Sequence, residues 1–266
     1  MALVLKSVYK FYNYYFNENV DERIKDLFLI NSPWPLVIIV TAYLYFVNGN
    51  GQKMMKYREP FELNGIINIY NIIQVFLNLY LAIGATWTLI GIKDLNILCI
   101  PEARKMISDE GKKIVYFSHL YYLIKVVDLL DTIFFILRKK NNQVSFLHIY
   151  HHTIMVVGCY IYIKFMVGGG QPTSLGIINS FVHVVMYSYY FLTSFKPELK
   201  KSIWWKKHIT QLQMTQFAIL VIHFLMPVFT ECDYPKGLSA GIAFQNIFMF
   251  LLFADFYYKA YVKTKK

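Results

Sequence analysis

Seven stretches of the chain are continuously apolar, each bounded by a short cluster of charge, proline or glycine: Leu27–Val47, Gly65–Gly91, Ile114–Leu137, Val144–Phe165, Ser174–Phe195, Ile209–Phe229 and Gly237–Tyr258. Each approaches the ~20 residues that a helix needs to cross a hydrocarbon layer. Pro33 and Pro35 are expected to start or bend the first, and Gly168-Gly169-Gly170-Gln171-Pro172 to form a loop after the fourth. No repeat or low-complexity linker interrupts the series. The pattern therefore predicts an all-α membrane protein of seven transmembrane helices in one polytopic domain, 1–266, with an N-terminal segment 1–26 and a basic tail 259–266.

Composition agrees, with 56% hydrophobic residues, 18% aromatic residues and a mean hydropathy of +0.39. The net charge of +11 resides in short clusters between apolar runs and not on one face, which argues for membrane topology and against nucleic-acid binding. Residues 1 to 25 carry Lys6, Lys10, Glu18, Asp21, Glu22, Arg23 and Lys25 with no apolar signal-peptide core, so the first span is expected to be the anchor. Three cysteines, Cys99, Cys159 and Cys232, are too few for a disulfide framework, although one pair in an oxidising lumen remains open.

Lysine and arginine set the orientation. Lys53/Lys56/Arg58, Arg138/Lys139/Lys140, Lys196/Lys200/Lys201/Lys206/Lys207 and Lys259/Lys263/Lys265/Lys266 all fall on one side, which makes the N-terminus lumenal and the C-terminus cytosolic. The loop with Lys93, Arg104, Lys105, Lys112 and Lys113 dissents, accompanied by Asp94, Glu102, Asp109 and Glu110. With that topology, a rise of ~1.5 Å per residue puts His148 to His152 roughly 6–12 Å below the cytosolic ends of the spans, Asp131 and Asp128 about 9 and 14 Å, His183 about 18 Å, and Gln213 and Gln216 about 8–12 Å. Asn71 and Gln74 fall at a similar level and Asp255 is shallower. One shared polar layer in the cytosolic half follows.

Ionisable groups inside spans are costly and by default face the bundle interior. His148, His151 and His152 stand at i, i+3 and i+4, which puts three imidazoles on one helix face. Lys125, Asp128 and Asp131 recur every three residues, either as a self-neutralising structural pair or as carboxylates that receive a histidine N–H. Asn179, His183, Tyr187 and Tyr190 form a further polar face, and Thr210, Gln213 and Gln216 another, for which helix gluing is the structural alternative. A membrane di-iron desaturase or hydroxylase uses similar boxes. It needs several, whereas this chain of seven histidines has one box plus His183, so no metal is expected. A seven-span receptor or a transporter remains a further alternative; a receptor would need its cavity open to the outside.

The ordered set Arg58-Glu-Pro-Phe-Glu-Leu63, Tyr70-Asn71 with Gln74-Val75, Lys125-Val-Val-Asp128-Leu-Leu-Asp131-Thr132, His148-Ile-Tyr-His151-His152, Asn179-Ser-Phe-Val-His183-Val-Val-Met186-Tyr187 and Thr210-Gln-Leu-Gln213-Met-Thr-Gln216 resembles the very-long-chain fatty acid elongases, the ELO-family 3-ketoacyl-CoA synthases of the endoplasmic reticulum. The resemblance covers nearly the whole chain and departs at Asp128, where the family usually has glutamate. It implies helices 2–7 in a bundle around a cytosol-facing cavity and acyl tunnel, with the first helix peripheral. It further implies condensation of acyl-CoA with malonyl-CoA, membrane lipid as surroundings, and a homodimer associated with the reductases and dehydratase of the elongation cycle. His151 would take the acyl group as an acyl-imidazole and His183 would assist decarboxylation or stabilise the enolate. His148 and His152 would tune the site, Asp128 and Asp131 hold imidazoles, and Asn179, Tyr187, Gln213 and Gln216 supply donors. CoA would meet Lys125, Arg138, Lys139, Lys206, Lys207 and Tyr190. The C-terminal Lys263-Thr-Lys265-Lys266 only approximates a dilysine retrieval signal. Because Cys99 and Cys232 both fall on the lumenal side of this topology, a Cys99–Cys232 disulfide is expected, with Cys159 buried and free.

Overall fold

The computed structural model describes residues 2–263, so Met1 and the last three residues of the basic tail lie outside the described part. The described residues form eleven α-helices: α1 Ala2–Asn13, α2 Trp34–Tyr45, α3 Gly51–Met54, α4 Asn64–Ile90, α5 Asp109–Val127, α6 Leu130–Leu137, α7 Phe146–Met166, α8 Pro172–Phe195, α9 Pro197–Lys201, α10 Ile203–Phe229 and α11 Lys236–Tyr257. They contain no strand, only one isolated bridge between Glu102 and Gly169.

Among the described residues, five helical stretches are long and apolar enough to cross a membrane: α4, α7, α8, α10, and α11 with its continuation to Val262. The remaining two apolar stretches have another form. The first yields only the 12-residue α2, because Pro33 and Pro35 delay its start and the chain leaves helical geometry at Asn48 and Gly49. The third is broken into α5 and α6 at Asp128–Leu129, where the bonds Leu129 N to Val126 O and Asp131 N to Asp128 O tighten the turn. The sixth stretch begins earlier than its apolar run, as the helix continues back through Trp204, Trp205, Lys206 and Lys207.

Helix α4 shows why this chain suits a membrane. Ile66, Ile69, Ile73, Phe76, Ile83 and Trp87 are exposed, while Tyr70, Asn71, Gln74 and Asn78 on the opposite stripe are buried. Polar inside and apolar outside is the reverse of a soluble helix. Helix α4 packs chiefly against α8, and α10 against α11, with α5 bridging α4 and α7. Tyr122, Ile124, Ile136, Val156 and Ile163 make the dry core between α5, α6 and α7, and Tyr43 ties α2 to it through a 2.8 Å hydrogen bond with Thr132. The protein is an intrinsic membrane protein.

The two ends of the bundle differ. At one, a disulfide joins Cys99 to Cys232 with a Cα separation of 5.6 Å, and Cys159 is buried and free. Gln171 knits the same end: its Oε1 accepts from Ile100 N at 3.0 Å and its Nε2 donates to Leu98 O at 3.0 Å. Gly169, at φ 81°, lies where a Cβ would come 2.2 Å from Ala103 N, so the loop closes on Ala103 only with glycine. Arg23, paired with Asp21 at 2.7 Å, donates to Ala103 O and Met106 O, both at 2.9 Å. At the opposite end Arg138 reaches Asn64 at 2.9 Å and Gln211 reaches Tyr257 at 3.0 Å, so the start of α4 meets the end of α6 and the start of α10 meets the end of α11.

Candidate active site

Ser145 starts the helix that carries the histidine box. Its hydroxyl accepts from His148 N at 3.2 Å, capping α7 so that the box occupies the first two turns. The ring centroids of His148 and His152 are 4.3 Å apart and those of His151 and His152 5.5 Å, one continuous imidazole surface as the spacing predicts. His148 lies beside Phe135 at 5.3 Å, and its Nε2 is buried without a hydrogen-bond partner. Of the three, His151 lines the large internal cavity.

That cavity has a volume of about 410 Å³ and is almost wholly apolar in lining. Asn179, Gln216 and Tyr121 are its polar wall near the middle of α8 and α10. Tyr121 donates to Asn179 Oδ1 at 2.8 Å, and Asn179 donates to Gln216 Oε1 at 3.4 Å, so α5, α8 and α10 are joined behind His151. Gln213, one turn earlier, donates to the Met186 sulfur at 3.7 Å.

A second polar group is fully enclosed. Lys125 and Asp128, with side chains 2% and 1% exposed, form an ion pair at 2.8 Å. Asp128 Oδ1 also accepts from Gln74 at 2.7 Å and lies 3.2 Å from the Tyr187 hydroxyl, whose single proton goes to Asp131 Oδ2 at 2.7 Å. The Tyr70 and Tyr187 hydroxyls are 3.3 Å apart. His183 joins this group through Lys125: an ammonium can only donate, so His183 Nδ1 accepts across 3.3 Å and its proton belongs on Nε2.

Most of the expected polar layer thus assembles, with three corrections. Asp128 and Asp131 do not hold the α7 imidazoles; the nearest carboxylate–imidazole approach is His183 Nδ1 to Asp128 Oδ2 at 3.6 Å, and tyrosine, glutamine and lysine take the shorter bonds. Lys125, also expected to meet CoA, is instead the interior counter-ion of Asp128, the self-neutralising pair that the spacing allowed. Asp255 leaves the layer altogether and pairs with Lys259 at the surface, 2.7 Å away. Of the other cations expected to face CoA, Lys139 and Lys206 are exposed and Arg138 and Lys207 half-buried, while Tyr190 is exposed and stacks edge-on with Tyr187 at 6.0 Å. Gln74 falls in the polar layer expected from the sequence, whereas Tyr70 and Tyr121 stand outside the expected site residues. The recurrence of Tyr70, Gln74 and Asn78 at four-residue spacing inside an apolar run was the signal available. Among the described residues, no three His, Cys, Asp or Glu are grouped so as to hold one metal ion.

Comparison with known proteins adds the remaining evidence. A family description, "ELO: GNS1/SUR4 family", matches residues 28–266. Very long chain fatty acid elongase 4 of Mus musculus is 40% identical over 247 residues, 92% of this chain and 78% of that protein. Very long chain fatty acid elongase F of Drosophila melanogaster is 39% identical over 243 residues, 90% of this chain and 93% of its own length. Very long chain fatty acid elongase 7 of Rattus norvegicus is 39% identical over 253 residues, 94% and 88% respectively.

Proposed function

This chain belongs to the ELO family, GNS1/SUR4, and from that premise we propose that it is a very-long-chain fatty acid elongase that condenses an acyl-CoA with malonyl-CoA. The observation that carries the reading is the position of His151: the one box imidazole on the wall of an apolar cavity sized for a hydrocarbon chain, with no side-chain hydrogen bond among the described residues.

The chemistry then runs in two halves. His151 attacks the acyl thioester, a C–N bond forms as C–S breaks, and CoA leaves with the proton released from the imidazole. Malonyl-CoA next loses carbon dioxide; the enolate carbon attacks the acyl-imidazole, the C–N bond breaks, the departing imidazolate takes one proton from water, and the 3-ketoacyl-CoA departs two carbons longer. His183, with its proton on Nε2, would stabilise the enolate oxygen, and Asn179 and Gln216 would offer carboxamide donors to the thioester oxyanion. The Lys125–Asp128 pair fixes the His183 tautomer and orientation rather than meeting substrate. No metal takes part in this scheme.

The same reading takes residues 1–266 as one domain of seven spans, with the shorter α2 and the broken α5–α6 as the additional crossings, in the endoplasmic reticulum with the N-terminus lumenal. CoA would then bind at the cytosolic mouth near Arg138, Lys139, Lys206 and Lys207. The test is incubation of purified protein with radiolabelled malonyl-CoA and a panel of acyl-CoAs. Labelled 3-keto product is expected from wild type, together with an acyl adduct on the His151 peptide when malonyl-CoA is withheld. Undiminished condensation by His151→Ala refutes the assigned nucleophile, and stoichiometric iron in active protein refutes the metal-free scheme.

A further inference from the structure

The cavity that carries His151 is not closed around its circumference. Gly158 on α7 and Gly237 and Gly241 on α11 line it, and all three are exposed although they sit on packed helices. A Cβ added at any of them would meet no atom within 4 Å. Residues that border both an interior cavity and the outer surface mark a place where the wall between them is open, and here that place is the seam between two helices.

The seam has a closed end and an open one. Near the imidazoles, Tyr150 donates to Gln245 Oε1 at 2.8 Å and meets Phe248 edge-on at 5.3 Å, with Phe146 stacked against it at 5.6 Å. Gly158 follows Tyr150 by eight residues on α7, and Gly237 precedes Gln245 by eight on α11. Helix α7 runs toward the disulfide end, where Gly169 meets Glu102, and α11 starts from it just after Cys232, so the two are antiparallel and Gly158 comes level with Gly237 about 12 Å further along, at 1.5 Å per residue. The polar bar stands beside His151, and the gap opens beyond it.

We propose that the α7–α11 seam is a side portal through which the acyl chain passes between the cavity and the surrounding lipid hydrocarbon, with the Tyr150–Gln245 hydrogen bond as its bar at the reactive end. The identity of the occupant rests on the condensation reading; the opening itself does not. A chain that must enter end-on through a polar mouth has every methylene exposed to water or charge on the way, which opposes passage in proportion to its length. A slot along the side keeps the chain in apolar surroundings while only the thioester reaches the imidazole.

The test uses the full chain in phosphatidylcholine nanodiscs. In the absence of malonyl-CoA, the first-turnover release of CoA from a C18 acyl-CoA is expected to slow at least about fivefold in Gly158→Leu and Gly241→Leu, with the final amount of acyl-enzyme unchanged. Gly65→Leu, on α4 away from the cavity and likewise with nothing within 4 Å of an added Cβ, should behave as wild type and serves as the folding control. Tyr150→Phe, which removes the bar, should accelerate release. Unchanged rates in both seam variants, or a reduced final yield at an unchanged rate, overturn the portal, since the added side chains would then merely occupy cavity space. A second readout is independent of catalysis. Gly241→Cys should react with a lipid-soluble maleimide from the bilayer and be protected severalfold by C18 acyl-CoA, and full reactivity in its presence also overturns the proposal. If wild type releases no CoA at all, the condensation reading fails and the labelling experiment alone decides the portal.

Discussion

Two polar regions meet in the interior of this bundle, and they are built on opposite plans. In the group around Asp128 both carboxylate oxygens are taken: lysine holds one and glutamine the other, while the neighbouring tyrosine donates to Asp131. On α7, by contrast, His152 lies against both His148 and His151, and a ring nitrogen of His148 is buried with no partner. A satisfied network in a low-dielectric interior is rigid, because any rotation breaks a charge-assisted bond. An unsatisfied imidazole face costs stability and leaves lone pairs free for an incoming group. The first region is a template and the second a reagent.

The contrast can be broken from either side. The largest expected effect is on the template: Asp128→Ala leaves the buried Lys125 ammonium unpaired and should destabilise the fold by about 3–5 kcal/mol, read as a large fall in thermal midpoint in detergent. His151→Ala, by comparison, should alter stability by less than about 1 kcal/mol while abolishing condensation. Next, Lys125→Met combined with Asp128→Leu should recover most of the lost stability, because two apolar side chains replace two charges, while condensation stays impaired with His183 no longer held. A double variant as unstable as Asp128→Ala would show that the remaining partners of Asp128, and not the ion pair, hold this region. Tyr187→Phe comes third: it removes the donor to Asp131 and should cost about 1–3 kcal/mol. The smallest effect is expected at His148→Phe, where an aromatic ring replaces an unpartnered imidazole beside Phe135. Its thermal midpoint should equal or slightly exceed that of wild type, and a clear loss would mean that His148 has a bound partner in solution, such as water.

The apolar runs forecast α4, α7, α8, α10 and α11 well, since length and hydropathy alone define such helices. The break at Asp128–Leu129 was invisible, because Lys125, Asp128 and Asp131 are spaced as they would be on one uninterrupted helix. Helix α1 was equally hidden, as its twelve residues carry two lysines and no long apolar run. Within the site, the shared face of His148, His151 and His152 follows from spacing along one helix. The bonds from Gln74 to Asp128, Tyr121 to Asn179 and Tyr150 to Gln245 do not, because each depends on how one helix is rotated against another. Periodicity within a helix says which residues share a face; it does not say which face they meet.

The bond between Cys99 and Cys232 spans 133 residues, and α5 through α10 lie between the two sulfurs. During synthesis, Cys99 leaves the ribosome long before its partner exists, and the link cannot form until α10 and Cys232 after it have been made. The sulfurs can therefore join only once α5 through α10 have been synthesised, with α11 the one long helix that follows in the chain.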